Sequence, residues 1–387
     1  MHSERQMPRM AAASPGKPMD RAGVLLTGAT GFLGGAVLAH LLADGVTPLL
    51  LVRASDPQDG LHRAQASARQ FSVNEAAIAR LTPEHIICGD LTDVAGFASD
   101  PRLDRVTGVV NCAALATFAE NPNLWPVNVD GTFAFAKRMV RSPLLRRFVH
   151  VGTAMACGPG LAGPISESWE MPDRDEHLVS YTASKAEIEA KLRFELPELP
   201  LVVARPSIVV GHTRLGCAPS GSIFWVFRMA QALERFTCDL DEMIDVVPVD
   251  YCADALVKLA FAEGLEHDLF HVSSGAERSC SFRDIEAALA AARGVSPMAP
   301  RYRKVTEDEL ESLAPKLEAA LGPCNRRLVV RALRLYGGFA QLNYVFDNSR
   351  LLSVGLPQPP RLTDYVEVCA ETSAHIRLQA QMHWDFK

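Results

Sequence analysis

The sequence predicts an α/β fold, a doubly wound parallel sheet with a smaller, mainly helical C-terminal region. Three observations predict it. Short apolar runs alternate with amphipathic stretches every few dozen residues between Val24 and Val151, which is the pattern of βαβ units. A glycine-rich turn at 28–34 joins the first run to the first amphipathic stretch. Small or polar residues follow several runs, at the strand ends where ligands gather in such sheets.

The turn after the first predicted strand is suited to phosphate binding. Gly28, Gly31 and Gly34 follow the apolar run 24–26 at intervals of three. Gly28 permits the turn, Gly31 lets the backbone approach a pyrophosphate, and Gly34 lets helix and strand pack closely. The phosphates would lie at the N-terminus of the helix that begins with residues 32–33. The spacing differs from the general dinucleotide fingerprint, and a purely structural turn is the alternative interpretation.

Composition bounds the class of protein. The chain has 387 residues, of which 48% are hydrophobic and 22% charged, with a net charge of -6. These values suit a soluble globular protein of one large or two modest domains and argue against nucleic-acid binding. No apolar run reaches the ~18 residues of a membrane span. Residues 1–20 lack the apolar segment of a secretory signal, and we expect them to form a disordered leader.

The cysteines indicate a reducing compartment and no metal site. The 9 cysteines are scattered, with no C-x-x-C pair and no zinc-like spacing of Cys and His. Without an export signal, this usage predicts free thiols and a cytoplasmic protein. Cys112 and Cys157 fall near the predicted cleft, where small packing residues are favoured over nucleophiles.

The end of the second predicted strand bears on the choice of cofactor. Residues 47–53 form an apolar run that ends in Arg53, and Arg63 lies on the amphipathic stretch that follows. In this fold an acidic residue at that position binds the ribose 2′-hydroxyl of NAD, whereas an arginine accommodates the 2′-phosphate of NADP. Arg53 and Arg63 therefore favour NADP(H) over NAD(H), the alternative being two solvated charges.

The other strand ends point to the same cleft. The third strand, 84–89, leads into Asp90, which is placed either to accept from an adenine amino group or to cap the next turn. The fourth, 106–111, leads into Ala113 and Ala114, small enough for the backbone to lie along the cofactor, and the fifth, 147–151, leads towards Thr153. Because the carboxyl ends of parallel strands share one edge, these residues are predicted to meet there.

Tyr181 and Lys185 supply candidate chemistry. They are four residues apart on a predicted helix, so they share one face. A neighbouring ammonium is expected to lower the pKa of a phenol, and the lysine can also hold ribose hydroxyls. With Thr153 orienting a substrate carbonyl and Tyr181 donating a proton, a nicotinamide would supply the hydride. A surface tyrosine beside a solvated lysine is the alternative.

The chain resembles the extended short-chain dehydrogenase/reductases over at least residues 22–275. The motifs that carry the resemblance are T-G-A-T-G-F-L-G at 27–34, G-D-L at 89–91, N-C-A-A at 111–114, N-V-D-G-T at 128–132, Thr153, Tyr181 with Lys185, and A-R-P-S-I-V-V-G at 204–211. The resemblance implies a Rossmann domain at 21–215, to which 244–275 return, and a substrate-binding region at 216–243 and 276–387. It implies a Thr153–Tyr181–Lys185 triad. It further implies cofactor contacts by Thr27, Gly28, Thr30, Gly31, Phe32, Leu33, Gly34, Arg53, Arg63, Asp90, Leu91, Asn111, Ala113, Ala114, Asn128, Lys185, Pro206, Ser207 and Ile208, of which Asn111 and Asn128 would have supporting roles.

Within that family, residues 51–55 followed by Arg63 are similar to the thioester reductase and fatty acyl-CoA reductase branch, the male-sterility type. The resemblance implies an NADPH-dependent reduction of an acyl thioester, carried on coenzyme A or an acyl carrier protein, to an aldehyde and sometimes an alcohol. Two alternatives stay open: an NAD(P)-dependent nucleotide-sugar epimerase or dehydratase, and a hydroxysteroid-type alcohol dehydrogenase. A non-catalytic dinucleotide-binding regulator is disfavoured because the triad is intact.

Two positions depart from the family pattern. Gly152 precedes Thr153, where relatives often carry a second hydroxyl residue, and Cys157 stands before Gly158, where a tyrosine is common. Neither removes a member of the triad, and both are expected to reshape the substrate side.

The C-terminal third is predicted to be largely helical over 280–345, with a further helix from Leu362. The apolar stretch 219–236 is expected to contribute mostly core, or to line a pocket for an acyl chain. The stretch 325–336 is basic and amphipathic. It has three interpretations: a solvated helix face, a docking surface for an acidic carrier or the phosphates of coenzyme A, and peripheral membrane contact. The oligomeric state is left open.

Overall fold

A seven-stranded parallel sheet runs through the computed structural model, which describes residues 21–118, 120–313, 317, 323–378 and 380–381. Its order is β7-β6-β5-β4-β1-β2-β3, and every neighbouring pair is parallel. The order reverses between β1 and β4, which opens a crevice beyond the carboxyl ends of these strands. The predicted fold class is confirmed. In chain order the strands are β1 Val24–Thr27, β2 Leu49–Val52, β3 Ile86–Cys88, β4 Gly108–Asn111, β5 Arg147–Val151, β6 Leu201–Pro206 and β7 Leu269–Val272.

Helices cover both faces of the sheet. Each amphipathic helix packs its apolar side against the sheet. The strands are apolar on both faces because helices cover the sheet on both sides. The described helices are α1 Phe32–Ala43, α2 Pro57–Gln70, α3 Glu75–Ile78, α4 Thr132–Val140, α5 Ser180–Glu195, α6 Phe224–Leu233, α7 Val249–Phe261, α8 Gly275–Arg278, α9 Phe282–Ala292, α10 Glu307–Ser312, α11 Arg326–Ala340, α12 Ser349–Ser353 and α13 Leu362–Ser373.

Each face of the sheet has its own core. On one face α1 packs against α7, with Leu38 and Leu256 fully buried. On the other face Phe135 of α4 and Ile188 of α5 are fully buried against Phe148 of β5. Each such large apolar side chain stabilises the fold by about 1.5–3 kcal/mol. The two cores hold α1 and α5 in fixed positions beside the carboxyl ends of the strands, where the candidate site lies.

The C-terminal region adds a third packed unit beyond the end of the sheet. Its core joins α6 to α11, where Trp225 and Leu333 are fully buried. The predicted helix at Leu362 is confirmed, and the apolar stretch 219–236 is helical from Phe224 to Leu233. Over 280–345 the helices are interrupted by short strands. The two-residue strand pairs are Ile208–Val209 with Val246–Val247, Met243–Ile244 with Cys280–Ser281, Arg235–Phe236 with Arg303–Lys304, and Pro164–Ile165 with Val345–Phe346.

Two predicted segments lie wholly or partly outside the described residues. The expected leader, 1–20, lies outside the described residues, as do 314–316 and 318–322 within the predicted helical stretch. Among the helices that are described, none combines the length and the apolar character needed to cross a bilayer.

Candidate active site

The glycine turn between β1 and α1 is as tight as its sequence predicts. Gly28 has a φ of +73°, and a β-carbon there would stand 2.8 Å from the backbone nitrogen of Ala113. A β-carbon on Gly34 would collide with the Gly28 carbonyl group. A β-carbon on Gly31 would have one neighbour within 4 Å among the described residues, the Gly28 carbonyl oxygen at 3.4 Å. Gly28 and Gly34 thus allow close packing, while Gly31 leaves its outer face open to a ligand.

The N-terminus of α1 faces that open side. The helix begins at Phe32, with Gly31 as its N-cap, and no side chain in the described part of the chain caps it. Its first N–H groups and the positive end of its dipole suit a pyrophosphate. Thr30 and Gly31 are exposed, whereas Phe32 stacks on Phe71 with ring centroids 6.3 Å apart and Leu33 packs against the core. The turn therefore fits a dinucleotide through its backbone.

Thr27 and Asn111 are buried and bonded to each other beneath this turn. The Thr27 hydroxyl donates to Asn111 Oδ1 at 2.6 Å, and the N–H of Ala113 donates to the Thr27 hydroxyl at 3.0 Å. Asn111 Nδ2 lies 3.1 Å from Nδ1 of His150. Because their polar atoms are used inside the sheet, these two side chains fix the ends of β1 and β4 relative to each other.

Arg53, Arg63 and Asp90 are brought together beyond β2 and β3. Arg53 Nη1 lies 4.0 Å from Asp90 Oδ2, and Arg63 Nη1 donates to the backbone carbonyl oxygen of Arg53. The Arg53 side chain is 66% exposed, so its guanidinium can turn towards a phosphate. Asp90 Oδ1 accepts from the N–H and the hydroxyl of Thr92, each at 2.9 Å, so this carboxylate caps the next turn. The side chain of Leu91 is buried in the core.

The helix α5 carries Tyr181, Lys185 and Glu189 at four-residue steps, and hence along one face. Lys185 is 3% exposed and Glu189 is fully buried. Burial lowers the pKa of Lys185 to about 8, although the Glu189 carboxylate raises it. Burial and then Glu189 raise the pKa of Tyr181 to about 12. The expectation that the Tyr181 pKa is lowered is wrong for this structure, because burial and the Glu189 carboxylate both raise it.

Thr153 lies just beyond the end of β5 and is 9% exposed. Its side-chain oxygen accepts from the N–H of Met155 at 3.3 Å, which allows the hydroxyl hydrogen to point elsewhere. The carboxyl end of β5 is the neighbour of β4 and β6 in the sheet. Thr153 therefore stands at the strand edge where Ala113 and Ala114 follow β4, as the sequence predicts.

Asn128 ties the loop after β4 to the tyrosine helix. It lies in a π-helical segment, Pro126–Gly131, and its Oδ1 accepts from the N–H of Leu115 at 2.7 Å. Its Nδ2 lies 3.1 Å from the Ser184 hydroxyl oxygen, and that hydroxyl donates to the Tyr181 carbonyl at 2.7 Å. Asn128 thus connects the loop after β4 to the first turn of α5, and the cofactor role that the resemblance implies for it stays a prediction.

Pro206, Ser207 and Ile208 continue from the end of β6. Pro206 and Ser207 are buried, and the N–H of Ser207 donates to the Val272 carbonyl at 3.0 Å. Ile208 pairs with Val246 and lines an apolar cavity in the C-terminal region. The three residues thus lead from the sheet edge to the C-terminal core.

A cleft of about 680 Å³ lies in front of Tyr181. Sequence reasoning missed most of its walls, which come from the loop after β4, the segment before α5, and α10 and α11. No local sequence pattern predicts these walls, because the segments that form them meet only in the tertiary fold. The walls include Phe118, Arg174, His177, Tyr181, Arg331 and Arg334.

An aromatic cluster connects Tyr181 to the C-terminal region. Phe118 meets the Tyr181 ring edge-on, with centroids 5.8 Å apart, and stacks on Phe339 at 5.4 Å. It also meets Tyr336 edge-on at 5.5 Å. Tyr336 and Phe339 line the adjoining apolar cavity, of about 50 Å³, with Ile223 and Phe227 among the residues of its wall. Phe118 therefore separates the cleft from this cavity. Phe224, Trp225 and Met229 are fully buried core, as expected for most of that stretch.

The cysteines near the cleft are packing residues. Burial raises the pKa of Cys112 to about 12 and that of Cys157 to about 11, so both are thiols at neutral pH rather than nucleophilic thiolates. Cys157 packs with Tyr344, whose hydroxyl donates to the Gly158 carbonyl and accepts from the N–H of Leu161, each at 3.0 Å. A phenol from the C-terminal segment thus stands beside the position where relatives often carry tyrosine.

The fold and the strand-edge cleft define an extended short-chain dehydrogenase/reductase, a class of NAD(P)-dependent oxidoreductases. Residues 26–256 match the model of the NAD-binding male sterility protein family. The chain belongs to this family, whose characteristic ligand is a nicotinamide dinucleotide.

Similar proteins include a fatty acyl-CoA reductase and a linear gramicidin synthase. The chain is 28% identical over 285 residues to the fatty acyl-CoA reductase wat of Drosophila melanogaster, covering 62% of this chain and 54% of that protein. It is 26% identical over 283 residues to one chain of the linear gramicidin synthase of Brevibacillus parabrevis, covering 68% of this chain and 5% of that protein. The chain thus spans about half the length of the first relative and a small part of the second.

Solved structures share the fold. The terminal R domain of the myxalamid PKS-NRPS pathway superposes with a TM-score of 0.74 at 21% identity, covering 91% of this chain and 90% of that one. The Bordetella bronchiseptica enzyme WbmG in complex with NAD gives a TM-score of 0.59 at 18% identity, covering 92% and 96%.

Proposed function

We propose that this chain is an NADPH-dependent reductase of an acyl thioester, carried on coenzyme A or an acyl carrier protein, and that it forms an aldehyde. The observation that carries the proposal is the cleft in front of Tyr181, which joins a proton donor to an aromatic wall and to a rim that includes three arginines. The name of one relative, a fatty acyl-CoA reductase, supports the substrate class.

The cofactor site is assembled from the strand ends. The turn at Gly28–Gly34 and the N-terminus of α1 would hold the pyrophosphate. Arg53 and Arg63 would face the 2′-phosphate, which favours NADPH over NADH, and Asp90 would orient Arg53. When bound, the cofactor supplies the hydride. Lys185 would donate to the nicotinamide ribose, and Pro206 with Ser207 would lie beside the nicotinamide.

Tyr181 and Thr153 would act on the substrate carbonyl. Since its raised pKa keeps the phenol protonated at neutral pH, Tyr181 is suited to donate a hydrogen bond and then a proton. Donors aimed at the developing oxyanion stabilise it as the carbonyl becomes tetrahedral. The Thr153 hydroxyl would be the second donor. The tetrahedral hemithioacetal then collapses to the aldehyde and expels the thiol, with Lys185 keeping a positive charge nearby.

The walls of the cleft suit the two ends of an acyl thioester. Arg174, Arg331 and Arg334 line it and would attract the phosphate of a pantetheine arm. Glu307 and Asp175 also line it, so the rim is mixed in charge. Phe118 and Phe339 would contact the acyl chain, which leads towards the apolar cavity. Two of the four arginines in 325–336 thus lie at the cleft, which favours the docking interpretation of that helix.

Turnover of defined thioesters tests the proposal. The full chain would be incubated with NADPH or NADH and a series of acyl-CoA and acyl-carrier substrates, and the products identified. We expect aldehyde with NADPH, at least about tenfold less with NADH, and a loss of about 10²–10⁴-fold in Tyr181→Phe. Tyr251→Phe is the matched control, because its hydroxyl donates to the Pro357 carbonyl at 2.9 Å, away from the cleft.

Other outcomes would contradict it. Turnover of nucleotide sugars or secondary alcohols, without any thioester, would identify an epimerase, dehydratase or alcohol dehydrogenase. Cofactor binding with no turnover, unchanged by Tyr181→Phe, would identify a dinucleotide-binding regulator. Whether reduction continues to the alcohol would follow from the products.

A further inference from the structure

A buried ion pair lies directly behind the triad. Glu189 is fully buried and Arg205, on β6, is 1% exposed. Arg205 Nε lies 2.8 Å and Nη2 lies 2.7 Å from the same carboxylate oxygen, Oε2. Burial raises the pKa of Glu189, and these charge-assisted bonds, together with the Lys185 ammonium, oppose that shift and favour the anion. Glu189 follows Tyr181 and Lys185 on one face of α5, so the pair supports that face from below.

The second oxygen of this carboxylate, Oε1, has no hydrogen-bond partner of good geometry among the described residues. The backbone N–H of Thr153 faces the carboxylate and favours its charged form. A β-carbon on Gly152 would collide with Oε1, so the carboxylate occupies space that only glycine leaves. Glu189 thereby contacts the strand end that carries the third member of the triad.

Arg205 extends the link to the segment in front of α5. Its Nη1 donates to the Ser168 carbonyl at 2.8 Å, and Nη2 lies 3.3 Å from Sδ of Met171. The same segment continues to Arg174 and His177, which line the cleft. One guanidinium therefore connects the tyrosine helix to the substrate side of the site.

We propose that Glu189 and Arg205 are positioning residues that hold Thr153, Tyr181 and Lys185 in one arrangement and keep an anion beside the buried Lys185 ammonium. This inference rests on the proposed roles of the triad. An ion pair in such a place gives little stability beyond what apolar residues of the same volume would give. What apolar residues could not supply is the charge beside Lys185.

The surroundings of Lys185 make that charge consequential. On its own helix it faces Tyr181 and Glu189, with Cys112 from the end of β4 and His150 from β5 on the other sides. Cys112 and His150 are neutral at pH 7, since burial raises the pKa of the thiol and lowers that of the imidazole. Glu189 is thus the anion on the described elements packed against Lys185, and it opposes the loss of the lysine proton.

The experiment measures the pH dependence of NADPH binding, so it does not depend on knowing the substrate. The dissociation constant would be followed by NADPH fluorescence between about pH 6 and 10, with Lys185→Met identifying the midpoint that belongs to Lys185. In Glu189→Gln that midpoint should move to lower pH by about one unit, because removing a nearby opposite charge lowers a lysine pKa. Glu167→Gln is the control.

Glu167 is a matched control because its side chain is 1% exposed and its Oε2 lies 3.5 Å from Nε of Arg350, yet it lies apart from the triad. It should leave the midpoint unchanged while affecting stability. If Glu189→Gln fails to fold with Arg205 unpaired, Glu189→Gln/Arg205→Met removes both charges. This double variant should also lower the midpoint.

The inference would be overturned if the midpoint were the same in the folded variants and the wild type, or if no midpoint depended on Lys185. The ion pair would then have a structural role only. The failure of the proposed function would show differently. In that case no thioester would be reduced, while the binding titration would still report on Glu189.

Discussion

The Glu189 carboxylate occupies the space that a β-carbon on residue 152 would need. The two residues lie on neighbouring elements, Glu189 on α5 and Gly152 just after β5. Gly152 is buried, and the Arg205 side chain lies 3.2 Å from the same β-carbon position. The glycine that departs from the family pattern is therefore complementary to the buried ion pair in this chain.

Gly152→Ala should uncouple Thr153 from the tyrosine helix. The new methyl group must displace either the carboxylate or the strand end, at a cost in stability of about 1–3 kcal/mol. Misplacing a catalytic group by about 1 Å can cost about 100-fold in rate, so we expect kcat with an acyl thioester to fall about 10- to 100-fold. Steady-state kinetics and thermal unfolding would be measured on the same preparation.

Gly23→Ala provides the comparison, because a β-carbon there would stand 2.6 Å from Thr107 Oγ1 at the other end of β1. It should reduce stability and leave kcat within about twofold of wild type. Equal losses of kcat in both variants would show that overpacking anywhere in the sheet is enough to lower kcat. That result would contradict a specific role of residue 152.

Arg53→Ala should change the choice of cofactor. Its exposed guanidinium is held near Asp90 at 4.0 Å, where a 2′-phosphate would gain a charge-assisted bond worth about 1.5–3 kcal/mol. We therefore expect the dissociation constant of NADPH to rise about 10- to 100-fold, with little change for NADH. Fluorescence titration of both cofactors checks it.

Arg105→Ala serves as the control for general charge loss. Arg105 is exposed before β4, at the amino ends of the strands, and its loss should alter neither affinity. Parallel weakening of NADPH and NADH by Arg53→Ala would indicate that the arginine supports the fold of the site rather than reading the phosphate.

Signals that lie close together in sequence predicted which residues gather at the ends of the strands, but not the walls of the cleft. The glycine turn, Arg53 and Asp90 after their strands, and the spacing of Tyr181 from Lys185 each follow from a local pattern in an alternating α/β chain. Because the helices pack on the two faces of a parallel sheet, the order of strands and helices then determines where those segments lie. The strands are trimmed by a few residues at some ends, since hydrogen bonding stops before the apolar run does: β2 is Leu49–Val52 within the predicted 47–53.

Contacts between distant segments could not be predicted in this way. Phe118 meets Phe339 across more than two hundred residues, and Arg331 reaches the Tyr181 cleft from the C-terminal region. The pKa of Tyr181 likewise depends on burial and on Glu189, neither of which the Tyr-x-x-x-Lys spacing reveals. One sequence supplies the residue types, but only the packing shows which of them become neighbours.

Arg331→Glu should weaken substrates that carry a phosphate. Arg331 is exposed on α11 and lines the cleft. Reversing its charge should raise KM for acyl-CoA or acyl-carrier substrates about tenfold, while a truncated thioester without phosphate changes little. The effect should shrink as salt rises, because screening weakens exposed charge contacts. Kinetics at two ionic strengths with both kinds of substrate would show it.

Arg141→Glu, an equally exposed charge reversal at the end of α4, is the control and should leave KM unchanged. A similar rise in KM for the truncated thioester would contradict phosphate recognition, because it would place the effect of Arg331 on the fold of the cleft.

Two buried carboxyls should each add to stability a pH-dependent contribution of defined direction. Burial raises the pKa of Glu167 to about 7 and that of Asp245 to about 6, despite the N–H groups of His271 and Ser274, each 2.7 Å from its carboxylate. Both values lie above those of the unfolded chain, so the folded protein holds protons that the unfolded chain has released. The contribution of these two carboxyls to the free energy of unfolding must therefore fall as pH rises from about 4 to about 7 and level off above that, whereas buried histidines with lowered pKa values, such as His271, contribute in the opposite direction. Each carboxyl contributes at most about 1.4 kcal/mol per pH unit to this slope.

Glu167→Gln isolates one of these contributions. The amide does not titrate, so the slope of unfolding free energy against pH between about pH 5 and 7 should become more positive than in wild type, whatever constant penalty the substitution adds. Chemical denaturation at several pH values measures this slope, with the exposed Glu187→Gln as the control that should retain the wild-type value. Parallel slopes for wild type and Glu167→Gln would mean that Glu167 stays ionised in the fold, held by the Arg350 guanidinium 3.5 Å from its Oε2 more strongly than burial opposes it.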